Sequence, residues 1–115
     1  MDSEKFSIYI DLFIKGFKNV LYEMAEIEAD LLDEEVQVEG EAITIIIGTT
    51  GGYKGRILFQ LGNEIGSKIA ENMNGEPVES IEERNMCLSE FVNTFCGSSI
   101  TKINNYYLDS QLRLT

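Results

Sequence analysis

The apolar positions between residues 4 and 24 predict an amphipathic helix with one buried face. They recur at spacings of three and four, which a helix of 3.6 residues per turn places on one side. The polar side mixes lysines with acidic residues, whereas helices that lie on a membrane surface are typically basic there. We therefore expect this helix to pack in the core. The apolar positions are Phe6, Tyr9, Ile10, Phe13, Ile14, Phe17, Val20, Leu21 and Met24.

The next part of the chain predicts an antiparallel sheet. Val36 and Val38 alternate with polar residues, residues 42–48 are mostly β-branched, and a further strand is predicted from Tyr53 to Leu61. Residues 50–52 contain two glycines and predict a hairpin loop, because glycine readily adopts the positive φ of tight hairpins. These glycines join strand to strand and no Gly-Lys-Ser/Thr follows them, so a phosphate-binding loop is not expected. The pattern predicts at least three antiparallel strands.

Two helices are predicted in the second half. Asn63 is expected to cap a short helix that extends through Met73 and is closed by Asn74 and Gly75. A Ser-x-x-Glu capping box at residues 80–83 begins a long helix that extends to about Tyr107. Residues 112–115 alternate like the start of a strand that has no room to pair properly. The predicted fold is one α+β domain over residues 1–115, in which an antiparallel sheet packs against an N-terminal helix, a short helix and a long C-terminal helix.

Charge and composition exclude several classes of function. The chain has 115 residues, 20 of them acidic and nine basic, and a formal net charge of −11. Such a surface repels nucleic acid and anionic lipid, so neither is an expected partner. The absence of histidine and the presence of only two cysteines argue against a zinc site. Without a signal-like apolar segment at its N-terminus, the sequence predicts a reduced, cytoplasmic protein.

The long C-terminal helix carries the candidate chemistry. On a helical wheel its core side contains Ile81, Leu88, Phe91, Val92, Phe95, Ser99 and Ile103, and its opposite side contains Met86, Glu90, Asn93, Gly97 and Asn104. Glu90 and Asn93 are neighbours at i, i+3. By itself a Glu-x-x-Asn pair most often belongs to a solvated helix face. Gly97 either lets a partner's backbone approach the helix or lies beneath another element of the domain.

The surroundings of this pair resemble the chemotaxis phosphatase family of CheX, CheC and FliY. YIDLFIKGFKNVLYEMA is similar to the family's opening helix, ITIIIGTTGGYKGRILFQL to its hairpin, and IGSKIAENMNG to its short helix. LSEFVNTFCGSSITKIN resembles the family's signature helix, with Glu, two intervening residues and Asn followed by small residues. The single Glu/Asn pair makes the chain more similar to CheX than to the two-site CheC.

The resemblance implies hydrolysis of the phospho-aspartate of a CheY-like receiver domain. Asn93 would orient the attacking water and Glu90 would pair with the receiver's active-site lysine. Met86, Gly97, Thr101 and Asn104 are expected to contact the partner. Mg²⁺ is expected on the receiver, and no cofactor or metal is expected on this chain. The resemblance also implies a homodimer formed through sheet contacts.

Two departures from the family pattern leave an alternative open. Met86 stands where the family usually has Asp or Ser, and a family proline and the last strands would follow Thr115. We therefore expect the chain to lack its last strands. The alternative is a non-catalytic receiver-binding or dimerisation module of the same fold.

Overall fold

A computed structural model describes residues 3–32, 34, 40–106 and 112–114. Its elements, in chain order, are α1 (Ser3–Ala25), β1 (Ala42–Thr50), β2 (Gly55–Gly62), α2 (Asn63–Asn74), α3 (Ile81–Tyr106) and β3 (Arg113–Leu114). The predicted α+β fold with an antiparallel sheet, two flanking helices and a long C-terminal helix is confirmed. The strand predicted around Val36 and Val38 lies outside the described residues, as does Tyr107.

The described sheet has three antiparallel strands in the order β2-β1-β3. β1 and β2 form the predicted hairpin, in which Ala42 is opposite Gly62 and Thr49 is opposite Gly55. β2 begins at Gly55 instead of Tyr53. The Tyr53 ring packs beside the Phe6 ring with their centroids 6.1 Å apart.

The expectation that the C-terminal residues have no room to pair is wrong. Leu114 lies opposite Thr49, and Arg113 lies opposite Thr50. Two residues are therefore enough to add β3 to the free side of β1.

One face of the sheet packs against the helices. Ile43, Ile45 and Ile47 of β1 alternate with exposed residues and pack against the main core together with Phe59 and Leu61 of β2. This alternation follows from the two-residue period of a strand. α3 packs mainly against α1 and also against α2, so its core side is fixed by contacts from several elements.

Phe95 of α3 lies at the centre of this core and is 2% exposed. Its ring meets those of Phe13, Phe17 and Phe59 edge to face, with centroid separations of 5.9, 5.5 and 5.1 Å. Such aromatic pairs add specific geometry to the burial of apolar surface. Phe95 therefore connects α1, the sheet and α3 at one point.

Four details of the predicted helices change in the structure. Gly62 takes the cap position of α2, and Asn63 is the first helical residue, so its side chain is free to accept a hydrogen bond from Arg84. Ile81 is 66% exposed, because the buried residues of α3 begin only at Leu88. Phe6 and Ile10 on α1 are also exposed. The predicted end of α2 is confirmed, since Gly75 has a φ of 80° and its N–H donates to the Glu71 carbonyl.

Candidate functional site

The start of α3 is fixed by a modified capping box. The Glu83 N–H donates to the Ser80 hydroxyl oxygen over 3.0 Å, as the sequence predicts. The Glu83 carboxylate accepts from the Glu79 N–H over 3.1 Å, one residue before the usual partner, and from the Asn74 amide over 3.2 Å. These bonds hold the first turn of α3 against the end of α2.

From Leu88 onward, every residue that the helical wheel placed on the core side of α3 is buried, and Cys96 and Ile100 are buried as well. The buried residues of the helix are Leu88, Phe91, Val92, Phe95, Cys96, Ser99, Ile100 and Ile103. Ser99 lies beneath α1 at Gly16, where an added Cβ would come within 2.3 Å of the Ser99 hydroxyl oxygen. Two small residues therefore let α1 and α3 approach closely. The wheel placed Ser99 on the core side, but it contained no signal for this partner.

Glu90 and Asn93 lie side by side on the exposed face of α3, as predicted. Both side chains are exposed, and they line one shallow groove together with Met86. In the part of the chain that the structure describes, neither has a hydrogen bond or ion pair with another residue. A carboxylate and a carboxamide are thus available to an incoming surface. The carboxylate accepts hydrogen bonds, and the carboxamide both donates and accepts them.

The groove extends along the exposed face of α3 beyond the predicted pair. Four more residues line it, and none of them was predicted from the sequence: Glu82, Asn85, Ser89 and Thr94. Glu82 and Thr94 lie four residues from Met86 and Glu90, respectively, so helical spacing alone is a signal that finds them. Its charged lining residues, Glu82 and Glu90, are both acidic. The groove is therefore suited to a surface that carries positive charge.

Gly97 lies one turn beyond Asn93 and leaves open space above the helix. A Cβ added there would meet no heavy atom within 4 Å among the described residues. Two alternatives were predicted for the small residues of this segment, approach by a partner or coverage by another element, and each applies to a different position. Ser99 is covered by α1, and Gly97 faces outward. Thr101, also exposed, donates from its hydroxyl to the Gly97 carbonyl over 3.0 Å.

The prediction that Asn104 faces solvent with Glu90 and Asn93 is wrong. Its side chain is half-buried and holds the segment before β3: the amide nitrogen donates to the Leu112 carbonyl, and the amide oxygen accepts from the Leu112 N–H, each over 2.9 Å. Both hydrogen-bonding atoms of the amide are used inside the domain. Asn104 is therefore a structural residue that positions β3.

Other chemistry near α3 is limited. Burial raises the pKa of the Cys96 thiol to about 11, so this cysteine remains protonated at neutral pH and is a poor nucleophile. Both Cys87 and Cys96 are free thiols.

Among the described residues, no group of three His, Cys, Asp or Glu side chains is arranged to hold a metal ion. None of the described helices has the length and apolar character needed to cross a membrane.

A protein-family model matches more than half of the chain, including the helix that carries this groove. Residues 43–115 match the family described as chemotaxis phosphatase CheX, a range that includes β1, β2, α2, α3 and β3. The chain belongs to the CheX family. The family assignment predicted from the hairpin and the signature helix is thus confirmed, and CheX is a family of chemotaxis phosphatases. The match begins after α1, so the likeness of α1 to the family's opening helix remains a prediction.

A comparison with curated proteins finds no match. The residues matched by the CheX family include Glu90 and Asn93, which line the groove on α3. The roles of individual residues are taken up below as proposals.

Proposed function

We propose that this CheX-family protein hydrolyses the phospho-aspartate of a CheY-like receiver domain by docking the exposed face of α3 across the receiver's active site. The observation that carries the proposal is the pairing of Glu90 and Asn93, which lie one turn apart, exposed and without partners among the described residues. Membership of a chemotaxis phosphatase family supports the reaction class. A cytoplasmic location follows from this partner.

Asn93 is the residue proposed to act on the attacking water. Its carboxamide can accept a hydrogen bond from water and donate another to a phosphoryl oxygen, and it keeps both functions at any physiological pH. Water held in line with the phosphorus attacks it, the bond to the aspartate oxygen breaks, and inorganic phosphate leaves. Catalysis of this kind rests mainly on positioning.

Glu90 is proposed to fix the register of docking. Its carboxylate would form a charge-assisted hydrogen bond with the active-site lysine of the receiver and draw that lysine away from the phosphoryl group. Met86, Gly97 and Thr101 are proposed to lie in the contact. Met86 is 74% exposed and offers an apolar contact, and Gly97 leaves space for the partner. Mg²⁺ is expected on the receiver, and this chain is proposed to bind no cofactor.

Replacing Glu90 with glutamine should weaken docking of the receiver more than it slows hydrolysis of the phospho-aspartate. We expect kcat/KM to fall about tenfold, because a charge-assisted bond is exchanged for a weaker neutral one in the interface. The measurement is phosphate release from a phosphorylated CheY receiver at increasing receiver concentration. An unchanged kcat/KM would remove Glu90 from the docking contact.

A homodimer is proposed through a strand edge of the sheet. β2 and β3 are the outer strands, and each has one edge without a strand partner among the described residues. Such edges can pair with another chain. Light scattering is expected to give twice the chain mass of 13.0 kDa. A mass equal to one chain at every concentration tested would contradict this proposal, and the phosphatase proposal would not be affected.

A further inference from the structure

Glu82 lies at the N-terminal end of the groove that contains Glu90 and Asn93. Positions 82, 86 and 90 follow one another at intervals of four on α3, so their side chains share one side of the helix. At a rise of 1.5 Å per residue, the backbone positions of Glu82 and Glu90 are separated by about 12 Å along the axis, with Met86 midway. The groove thus presents two carboxylates with an exposed apolar side chain between them.

Glu83, the neighbour of Glu82, uses its carboxylate for hydrogen bonds at the start of α3. Its carboxylate is occupied by the Glu79 N–H and the Asn74 amide. Glu82 is exposed and, in the described part of the chain, forms no hydrogen bond or ion pair. The helix macrodipole favours an acidic residue anywhere in the first turn. That preference does not account for the position of Glu82 on the same side as Glu90.

We infer that Glu82 is a specificity-determining residue, which pairs with a second basic side chain of the phosphorylated receiver. The inference rests on the proposed function. It specifies the partner's surface: two cationic groups about 12 Å apart along the docked helix, one of them the lysine that faces Glu90, with an apolar contact for Met86 between them. Complementary charge of this kind selects partners and sets the register of docking. Since Glu82 is about three helical turns from Asn93, it contributes to binding and takes no part in hydrolysis.

The test compares Glu82→Gln with Glu79→Gln. Both variants remove one negative charge near the start of α3, but the Glu79 side chain does not line the groove. We expect Glu82→Gln to raise the KM for a phosphorylated CheY receiver roughly three- to tenfold at low salt, with kcat unchanged and a smaller difference at high salt. Glu79→Gln should stay within about twofold of the wild type, because a charge outside the contact acts only through screened long-range attraction.

Equal KM values for Glu82→Gln and Glu79→Gln would overturn the inference. If the wild-type chain still releases phosphate and Asn93→Ala does not, that result leaves the proposed function standing. A wild-type chain that releases no phosphate would overturn the proposed function and this inference together. Thermal melting of both variants verifies that the compared proteins are equally folded.

Discussion

Replacement of Asn93 with alanine is expected to reduce the phosphatase rate constant about a hundredfold or more while leaving receiver binding nearly unchanged. Loss of one preorganised hydrogen-bonding group at a reacting centre typically costs about 10²–10³ in kcat, and Asn93 is the group proposed to hold the attacking water. Its side chain is exposed and has no partner among the described residues, so the substitution should not destabilise the domain. The measurement is the decay of a phosphorylated CheY receiver at saturating concentrations of each variant.

Two matched variants sharpen the Asn93 prediction. Asn93→Asp keeps the shape of the side chain but makes it an acceptor without N–H donors, so it should also be slow. Asn19→Ala removes an exposed asparagine from α1 and should retain wild-type activity. Full activity in Asn93→Ala would exclude Asn93 from the mechanism.

The largest expected effect on stability is that of Phe95→Ala. Phe95 is 2% exposed and contacts three other phenyl rings edge to face. Truncating a buried phenylalanine to alanine typically costs about 3–5 kcal/mol, which combines lost burial with the cavity left behind. A domain is stable by only about 5–15 kcal/mol in total. The variant should therefore unfold at a much lower urea concentration.

Phe6→Ala provides the control for Phe95→Ala. Phe6 is 43% exposed, and its removal should cost about 1–2 kcal/mol, because its apolar surface is only partly buried. Urea titration followed by circular dichroism measures both variants, and the m-values should agree if each unfolds in one step. Similar midpoints for the two variants would contradict the central position of Phe95 in the core.

Local sequence patterns predicted most of the fold. The spacing of apolar residues located α1 and α3, and the glycines located the hairpin and the end of α2, because these features depend on periodicity and on backbone conformation at single positions. Contacts between distant residues were not predictable in this way. Two local details also differed from the prediction: Gly62 and not Asn63 caps α2, and Ile81 in the first turn of α3 is exposed. The pairing of β3 with β1 also depends on the folded arrangement.

The candidate site shows the same division between local and distant information. The outward-facing positions of Met86, Glu90, Asn93 and Gly97 follow from the helical period once the core side is known. Asn104 satisfies the same period, but Leu112 engages its amide. A helical wheel describes the residues of one helix and contains no information about contacts with other segments, such as the contact of Asn104 with Leu112. The groove added Glu82 to the site. Its spacing of four residues from Met86 was a signal in the sequence that had not been used.

The α3 face is proposed to make this chain a phosphatase for a phosphorylated receiver. The most direct test of this proposal is phosphate release from a CheY receiver of the same organism, phosphorylated with a small phosphodonor in the presence of Mg²⁺ and then mixed with substoichiometric wild-type chain. We expect release that is faster than the receiver's own hydrolysis, that saturates with receiver concentration, and that continues for many turnovers per chain. Release at the receiver's spontaneous rate, even at the highest chain concentration, would contradict the proposal.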